Sequence, residues 1–146
     1  MKTAAEILLV DDSQADIDLL GEVLSMNKHP FHANSVEDGT KALCYLRRQG
    51  NYARALRPDL IVLDLNLPRL DGRQVLQQLK CDPDLSKIPV VVFTTSAANS
   101  DIVRCYELGA NCYLTKPGNL WDFIAVVQSM ANFWLGFASL PQKEER

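Results

Sequence analysis

The sequence predicts a doubly wound α/β domain, a parallel sheet with helices on both faces. Two observations carry this. Five short apolar runs alternate with segments whose apolar residues recur at helical spacing, a βα unit met five times over. Four of these runs lead into charged or hydroxyl residues, at Asp11 and Asp12, at Asp64, at Thr94 and at Lys116. A strand buried on both faces should not end in an uncompensated charge. In open α/β sheets, however, ligands sit just beyond the carboxyl ends of the strands. Crossovers between parallel strands are right-handed, so every strand-end loop falls on one edge.

The elements follow in order. Glu6 to Val10 is the first apolar run and ends in Asp11 and Asp12. Asp12 or Ser13 can cap a helix carrying Ile17, Leu20, Val23 and Leu24 on one face, ending near residues 27–30. Phe31 to Ser35 is a weaker strand. Helical spacing resumes at Val36, with Ala42, Leu43 and Leu46 inward and Gly50 as the stop. A loop rich in Arg and Ala leads to Leu60–Leu63, a fully apolar strand that ends in Asp64. After a turn with Pro68 and Gly72, the spacing of Val75, Leu76 and Leu79 marks a helix that stops before Pro83. Pro89 to Phe93 is the fourth strand, ending in Thr94, Thr95 and Ser96. A helix over about 99–108 closes at Gly109. Cys112 to Leu114 is the fifth strand and ends in Thr115, Lys116 and Pro117. The last helix spans about 120–135, and residues 137–146 form a tail.

Length and composition narrow the classes. A chain of 146 residues is one domain by default. It buries about 68–70% of its unfolded surface, enough for a core without staples. A net charge of −3 with mixed signs gives no footprint for nucleic acid. The four cysteines form no Cys-x-x-Cys pair and have no histidine at ligand spacing, so they read as free thiols of a reducing compartment. No signal peptide or membrane span is visible, and a cytoplasmic protein is expected.

Three carboxylates on one sheet edge, Asp11, Asp12 and Asp64, repel one another unless a cation intervenes. Oxygen ligands of this kind suit Mg²⁺, which keeps waters and shares phosphate oxygens. A carboxylate can act as a nucleophile toward phosphorus, and phosphoryl transfer needs mainly positioning and charge neutralisation. Lys116 offers a point charge for phosphoryl oxygens and Thr94 a hydroxyl. Each group also has an ordinary role. Asp11 and Asp12 fit a helix cap with an acidic first turn, Asp64 a turn former, Thr94 a strand end, Lys116 a surface lysine and Tyr113 a half-buried strand aromatic.

Taken together, VDD after the first strand, LDLNLPRLDG at the third, FTTS after the fourth and LTKP after the fifth resemble the receiver domain of two-component response regulators. The resemblance covers about residues 6–135. It implies a flavodoxin-like, CheY-like (βα)5 sandwich with strands in order 2-1-3-4-5, the receiver domain occupying residues 1–136. It makes Asp64 the phosphoacceptor and Asp11 and Asp12 the acidic pair for Mg²⁺, Asp12 direct and Asp11 mostly through water. The backbone carbonyl of Asn66 completes the metal ligands. Thr94 becomes the switch hydroxyl, Tyr113 the switch aromatic that rotates inward, and Lys116 the phosphate partner, with a cis Lys116–Pro117 bond. Asn66 and Ser96 fall where side chains tune phosphate lifetime.

A narrower resemblance lies in LRRQGNYARALRPDL, VVVFTTSAANSDI and the FWL near the end. These look like single-domain regulators that partner cyanobacterial phytochromes. The phosphodonor would then be a phytochrome histidine kinase, and output would be a protein surface that changes on phosphorylation rather than DNA binding. Trp121, Phe133, Trp134 and Phe137 cannot all face the sheet. Some can fold back over the sheet edge or tuck under the tail, but the surplus favours a homodimer through the face of the fourth helix, fifth strand and fifth helix. Two other readings fit less well. A haloacid-dehalogenase-type phosphatase needs an acid where Asn66 stands. A flavin or dinucleotide binder needs a Gly-x-Gly, which the chain lacks.

Overall fold

The computed structural model describes residues 4–141. Residues 142–146, the second half of the expected tail, lie outside the described residues. The strands are β1 (Ala5–Val10), β2 (Phe31–Val36), β3 (Leu60–Leu63), β4 (Val90–Thr94) and β5 (Cys112–Thr115). The helices are α1 (Gln14–Ser25), α2 (Gly39–Leu46), α3 (Gly72–Cys81), α4 (Asn99–Glu107) and α5 (Leu120–Ala131). All strand pairs are parallel and the order is β2-β1-β3-β4-β5, as expected. No helix of the described residues is long and apolar enough to cross a membrane.

Alternation along the strands splits the core in two. Leu8, Val10, Ile61, Leu63, Val90 and Val92 face one side, under α2, α3 and Cys105 of α4. Ile7, Leu9, Leu60, Val62, Val91 and Phe93 face the other, under α1 and α5. Each such side chain contributes about 1.5–3 kcal/mol on full burial, so the central strands carry most of the fold's driving force. The helices start where polar caps allow. Ser13, Asp38, Asp71 and Asn119 each accept a backbone N–H in the first turn of α1, α2, α3 and α5. At α4 the capping position holds Ala98, and no side chain caps it.

Three local expectations need correction. α2 ends at Leu46, and Arg48 (φ 57°), not Gly50, takes the first left-handed position after it. Backbone bonds from Arg48 N to Tyr45 O and from Gln49 N to Cys44 O (2.9 Å) close that end, holding a non-glycine residue there at roughly 1–2 kcal/mol of strain. The last helix is α only to Ala131, and Asn132–Phe137 is π-helical, one residue into the expected tail. The wider turn seats Leu135 in the core and Trp134 against it, and leaves Phe133 and Phe137 exposed. Gly136 meets His29 so closely that a Cβ there would lie 2.7 Å from Nε2. Finally, Lys116–Pro117 is trans, since no cis peptide occurs among the described residues. The trans form is intrinsically favoured by about 0.5–1 kcal/mol, and it already delivers the Lys116 side chain to the acidic edge.

Candidate phosphoryl and metal site

The backbone ladders run one step past the strands and so align the acids. Asp11 N donates to Val36 O (3.1 Å) and Asp64 N to Val10 O (2.9 Å). Asp11 and Asp64 therefore leave neighbouring strands side by side. Behind them, Gly72 opens α3 against the same loop. Its N–H donates to Leu65 O (2.9 Å), and a Cβ on it would lie 2.3 Å from the Asp64 carbonyl oxygen. Only glycine permits that approach.

Side-chain oxygens of Asp11, Asp12 and Asp64 all lie within 4.8 Å of one another. Asp11 and Asp64 are buried, and Asp12 is exposed. Lys116 crosses from the end of β5 into this group. Its Nζ lies 2.7 Å from Asp11 Oδ2, 2.8 Å from Asp16 Oδ2 and 3.2 Å from Asp64 Oδ2. It also stands 5.9 Å from the centre of the Phe93 ring. Burial pulls the ammonium down, but its bonds to Asp11 and Asp16 and the charges of Asp11 and Asp64 outweigh this and hold it above the ordinary lysine value. Burial pushes the Asp11 carboxyl up, only partly offset by Lys116 and by the Ser13 N–H at 2.9 Å.

Asn66 lies exposed two residues past Asp64, and its N–H donates to Asp64 Oδ1 at 3.3 Å, which steadies that carboxylate. Thr94 is fully buried at the end of β4, and its Oγ1 has no hydrogen-bond partner among the described residues. A buried hydroxyl without a partner is rare and costs free energy unless a ligand supplies the missing acceptor. Its carbonyl takes the Lys116 N–H at 2.6 Å, which couples the two strand ends. Tyr113 is half-buried against the core beneath α2 and α3, with its hydroxyl donating to Ser96 O at 2.8 Å. The aromatic expected to rotate inward is thus already turned in.

The structure therefore brings together Asp11, Asp12, Asp64 and Lys116, with Thr94 on the adjoining strand end and Asn66 on the loop. The ordinary reading of Asp11 and Asp12 as helix caps does not hold, because Ser13 is the cap of α1. Asp16 was not anticipated. It stands three residues past that cap, where an acid merely matches the helix dipole, so spacing alone gave no sign that it reaches Lys116. The donor set, three carboxylates without nitrogen or sulfur, fits a hard divalent ion.

Comparison with known proteins agrees with this geometry. The family model described as response regulator receiver domain matches residues 7–128. The chain is 49% identical over 135 residues to "Response regulator Rcp1" of Synechocystis sp., covering 92% of each chain. Among solved structures, the Mn(2+)-bound form of Rcp1 superposes with a TM-score of 0.92 at 48% identity, covering 94% of this chain and 99% of that one. The phosphorylated cyanobacterial phytochrome response regulator RcpA gives 0.93 at 48% identity, over 96% and 100%. On sequence, topology and the acidic pocket alike, the chain belongs to the response regulator receiver domain family.

Proposed function

We propose that this chain is a single-domain response regulator whose Asp64 accepts a phosphoryl group from a phytochrome-type histidine kinase in a Mg²⁺-dependent reaction. The observation that carries this is the convergence of Lys116 on Asp11 and Asp64 beside the unpartnered Thr94 hydroxyl. Asp11, Asp12, Asp64 and the Asn66 carbonyl would hold the metal. When bound, Mg²⁺ supplies positive charge to the phosphoryl oxygens. An Asp64 carboxylate oxygen attacks phosphorus, the P–N bond of the donor phosphohistidine breaks, and the electron pair stays on the imidazole nitrogen, which takes a proton. Lys116, charged across the physiological range, donates N–H bonds to the transferred group. Thr94 gives its free hydroxyl to the same oxygens.

The phosphoryl group adds about −1.5 to −2 of charge and biases the face built by α4, β5 and α5, with Tyr113 as the reporting aromatic. Signalling is then by protein contact. The same face supports a homodimer: Val103, Tyr106, Trp121, Phe133 and Phe137 are exposed on or just beyond its helices. Sedimentation at high micromolar concentration tests the dimer, and a clean monomer with and without phosphate removes it. The receiver unit is assigned to 1–136, and the chain acts in the cytoplasm, where a kinase of this class presents its phosphohistidine. The chain turns over no substrate beyond its own phosphorylation and slow dephosphorylation.

Phosphotransfer profiling against candidate histidine kinases tests the main reading, with Asp64→Asn as control. The unmodified chain takes up acid- and base-labile phosphate only with Mg²⁺ present, and the variant takes up none. Equal labelling of the variant would move the acceptor elsewhere. Sustained hydrolysis of a generic phosphomonoester would favour a phosphatase instead.

A further inference from the structure

A second polar network joins α3 to α4 and shares no residue with the acidic cluster. Arg73, in the first turn of α3, donates Nε (3.1 Å) and Nη2 (2.7 Å) to Asp101 Oδ1. Its Nη1 donates to both oxygens of Asp71, at 3.2 and 3.0 Å. The second oxygen of Asp101 accepts Ser96 Oγ at 2.6 Å, and Ser96 Oγ accepts the Ala98 N–H at 3.3 Å. The Ser96 hydroxyl and the Arg73 guanidinium hold the Asp101 carboxyl below the usual aspartate value. One carboxylate thus ties the β4–α4 loop to α3. The same loop supplies the Ser96 carbonyl on which the Tyr113 hydroxyl rests.

The two ends of this tie differ in firmness. On the α3 side, Asp71 caps the helix in a full capping box with Gln74, and Gly72 is wedged against the Asp64 carbonyl. On the α4 side there is no side-chain cap, and Cys105 is the one buried residue of the helix. The first turn of α4 therefore depends on polar contacts for its position, because packing contributes little there. Thr94 ends β4 two residues before Ser96, so the loop that seats the tyrosine starts at the strand end that carries the switch hydroxyl.

We propose that Arg73 is a positioning residue for the switch. Clamped between Asp71 and Asp101, it holds the β4–α4 loop in the one conformation whose Ser96 carbonyl receives Tyr113, and so favours the turned-in tyrosine. The clamp and the turned-in ring stabilise each other, and whatever draws on that loop conformation draws on Arg73. The consequence for phosphoryl binding rests on the function proposed above; the effect on the tyrosine does not.

The test uses beryllofluoride with Mg²⁺ as the phosphoryl probe, measured by calorimetry. It adds fluorine NMR of the 3-fluorotyrosine-labelled chain without ligand, the Tyr113 resonance being assigned through Tyr113→Phe. A part-exposed pair of this kind is worth about three- to fivefold in an equilibrium. Arg73→Ala weakens beryllofluoride binding by that factor and moves the Tyr113 resonance toward the solvent-exposed position. Arg73→Lys recovers part of both, because an ammonium replaces the charge but not the fork. Asp101→Asn reproduces the Arg73→Ala result, and thermal melts confirm that each variant is folded. In the Tyr113→Phe background, Arg73→Ala loses little further affinity. An unmoved Tyr113 resonance, or the same loss of affinity in both backgrounds, overturns the proposal. Failure of the unmodified chain to bind beryllofluoride would instead strike the phosphoryl reading, and the ligand-free resonance would still decide the clamp.

Discussion

Replacing Asp12 by asparagine will stabilise the metal-free chain and blunt its response to Mg²⁺. Lys116 makes ion pairs with Asp11, Asp16 and Asp64, while Asp12 has no ion-pair partner among the described residues. Its carboxylate nevertheless lies within 4.8 Å of those of Asp11 and Asp64. Two like charges at that distance repel by about 3.5 kcal/mol at an effective dielectric near 20, and by about 0.9 kcal/mol in bulk water. Asp12 is exposed, so the screened value governs, and the Lys116 charge offsets part of the sum over two neighbours. A net gain of about 1 kcal/mol remains for Asp12→Asn without metal, or about 2–4 °C in melting temperature. With Mg²⁺ at a hundred times its dissociation constant the unmodified chain gains about 2.7 kcal/mol by mass action. Loss of a charged ligand that weakens binding a hundredfold cuts this to about 0.4 kcal/mol for the variant. The order of the two proteins therefore reverses between chelator and saturating Mg²⁺. Thermal melts followed by circular dichroism in both buffers measure it. An Asn variant no more stable in chelator, or one with an undiminished Mg²⁺ increment, would refute the placement of Asp12 in the cluster.

The buried Thr94 hydroxyl has no partner to lose, so Thr94→Val should leave stability unchanged or raise it by up to about 1 kcal/mol. It should also weaken beryllofluoride binding about five- to tenfold; a destabilised variant with intact affinity would contradict both halves. Lys116→Met strands buried Asp11 and Asp64 without a cation. It should cost about 3–5 kcal/mol at neutral pH in chelator, with Mg²⁺ restoring part, by urea denaturation. Stability should also depend on pH through two groups. Asp11 is raised in the fold above 3.8, so the folded chain binds that proton more tightly, and its contribution falls as pH rises from about 4 through the folded value; Asp11→Asn removes this fall. Lys116 is held above 10.5, so its contribution is complete below that pH and lost above it. Lys116→Met should flatten the alkaline limb of the stability curve.

Much of this was legible from residue order because the fold and the site rest on the same pattern. Leu60–Leu63 is buried throughout, and an apolar run that short, bounded by Pro58 and a polar turn, reads as a central strand. Its continuation into Asp64 marks the functional edge. Once β1, β3, β4 and β5 are parallel, Asp11, Asp64, Thr94 and Lys116 converge by topology, whatever their separation along the chain. Strand β2 was harder to find. Its residues 32–35 are exposed, as suits an edge strand, and they carry little apolar periodicity.

The parts that were not legible depend on contacts between helices, and sequence spacing holds no record of these. Asp16 satisfies a local rule, an acid in the first turn of α1, and that rule hides its reach of 2.8 Å to Lys116. Arg73 and Asp101 are 28 positions apart, and each looks like a solvated charge on its own helix. Only the approach of α3 to α4 shows that they pair, and that Asp101 carries the link on to Ser96, whose carbonyl receives Tyr113. Arg48 shows the reverse. Glycine is the expected left-handed stop, and Gly50 does adopt positive φ, yet the bond from Gln49 N to Cys44 O closes the helix two residues earlier. A local preference is worth about 1 kcal/mol, and one backbone hydrogen bond made in the right place can outweigh it. The same comparison explains why the acidic edge could be read in advance and the tie between Arg73 and Asp101 could not. The edge follows from strand order, which many buried side chains enforce together. The tie follows from a few part-exposed polar contacts, each small enough for a different neighbour to redirect.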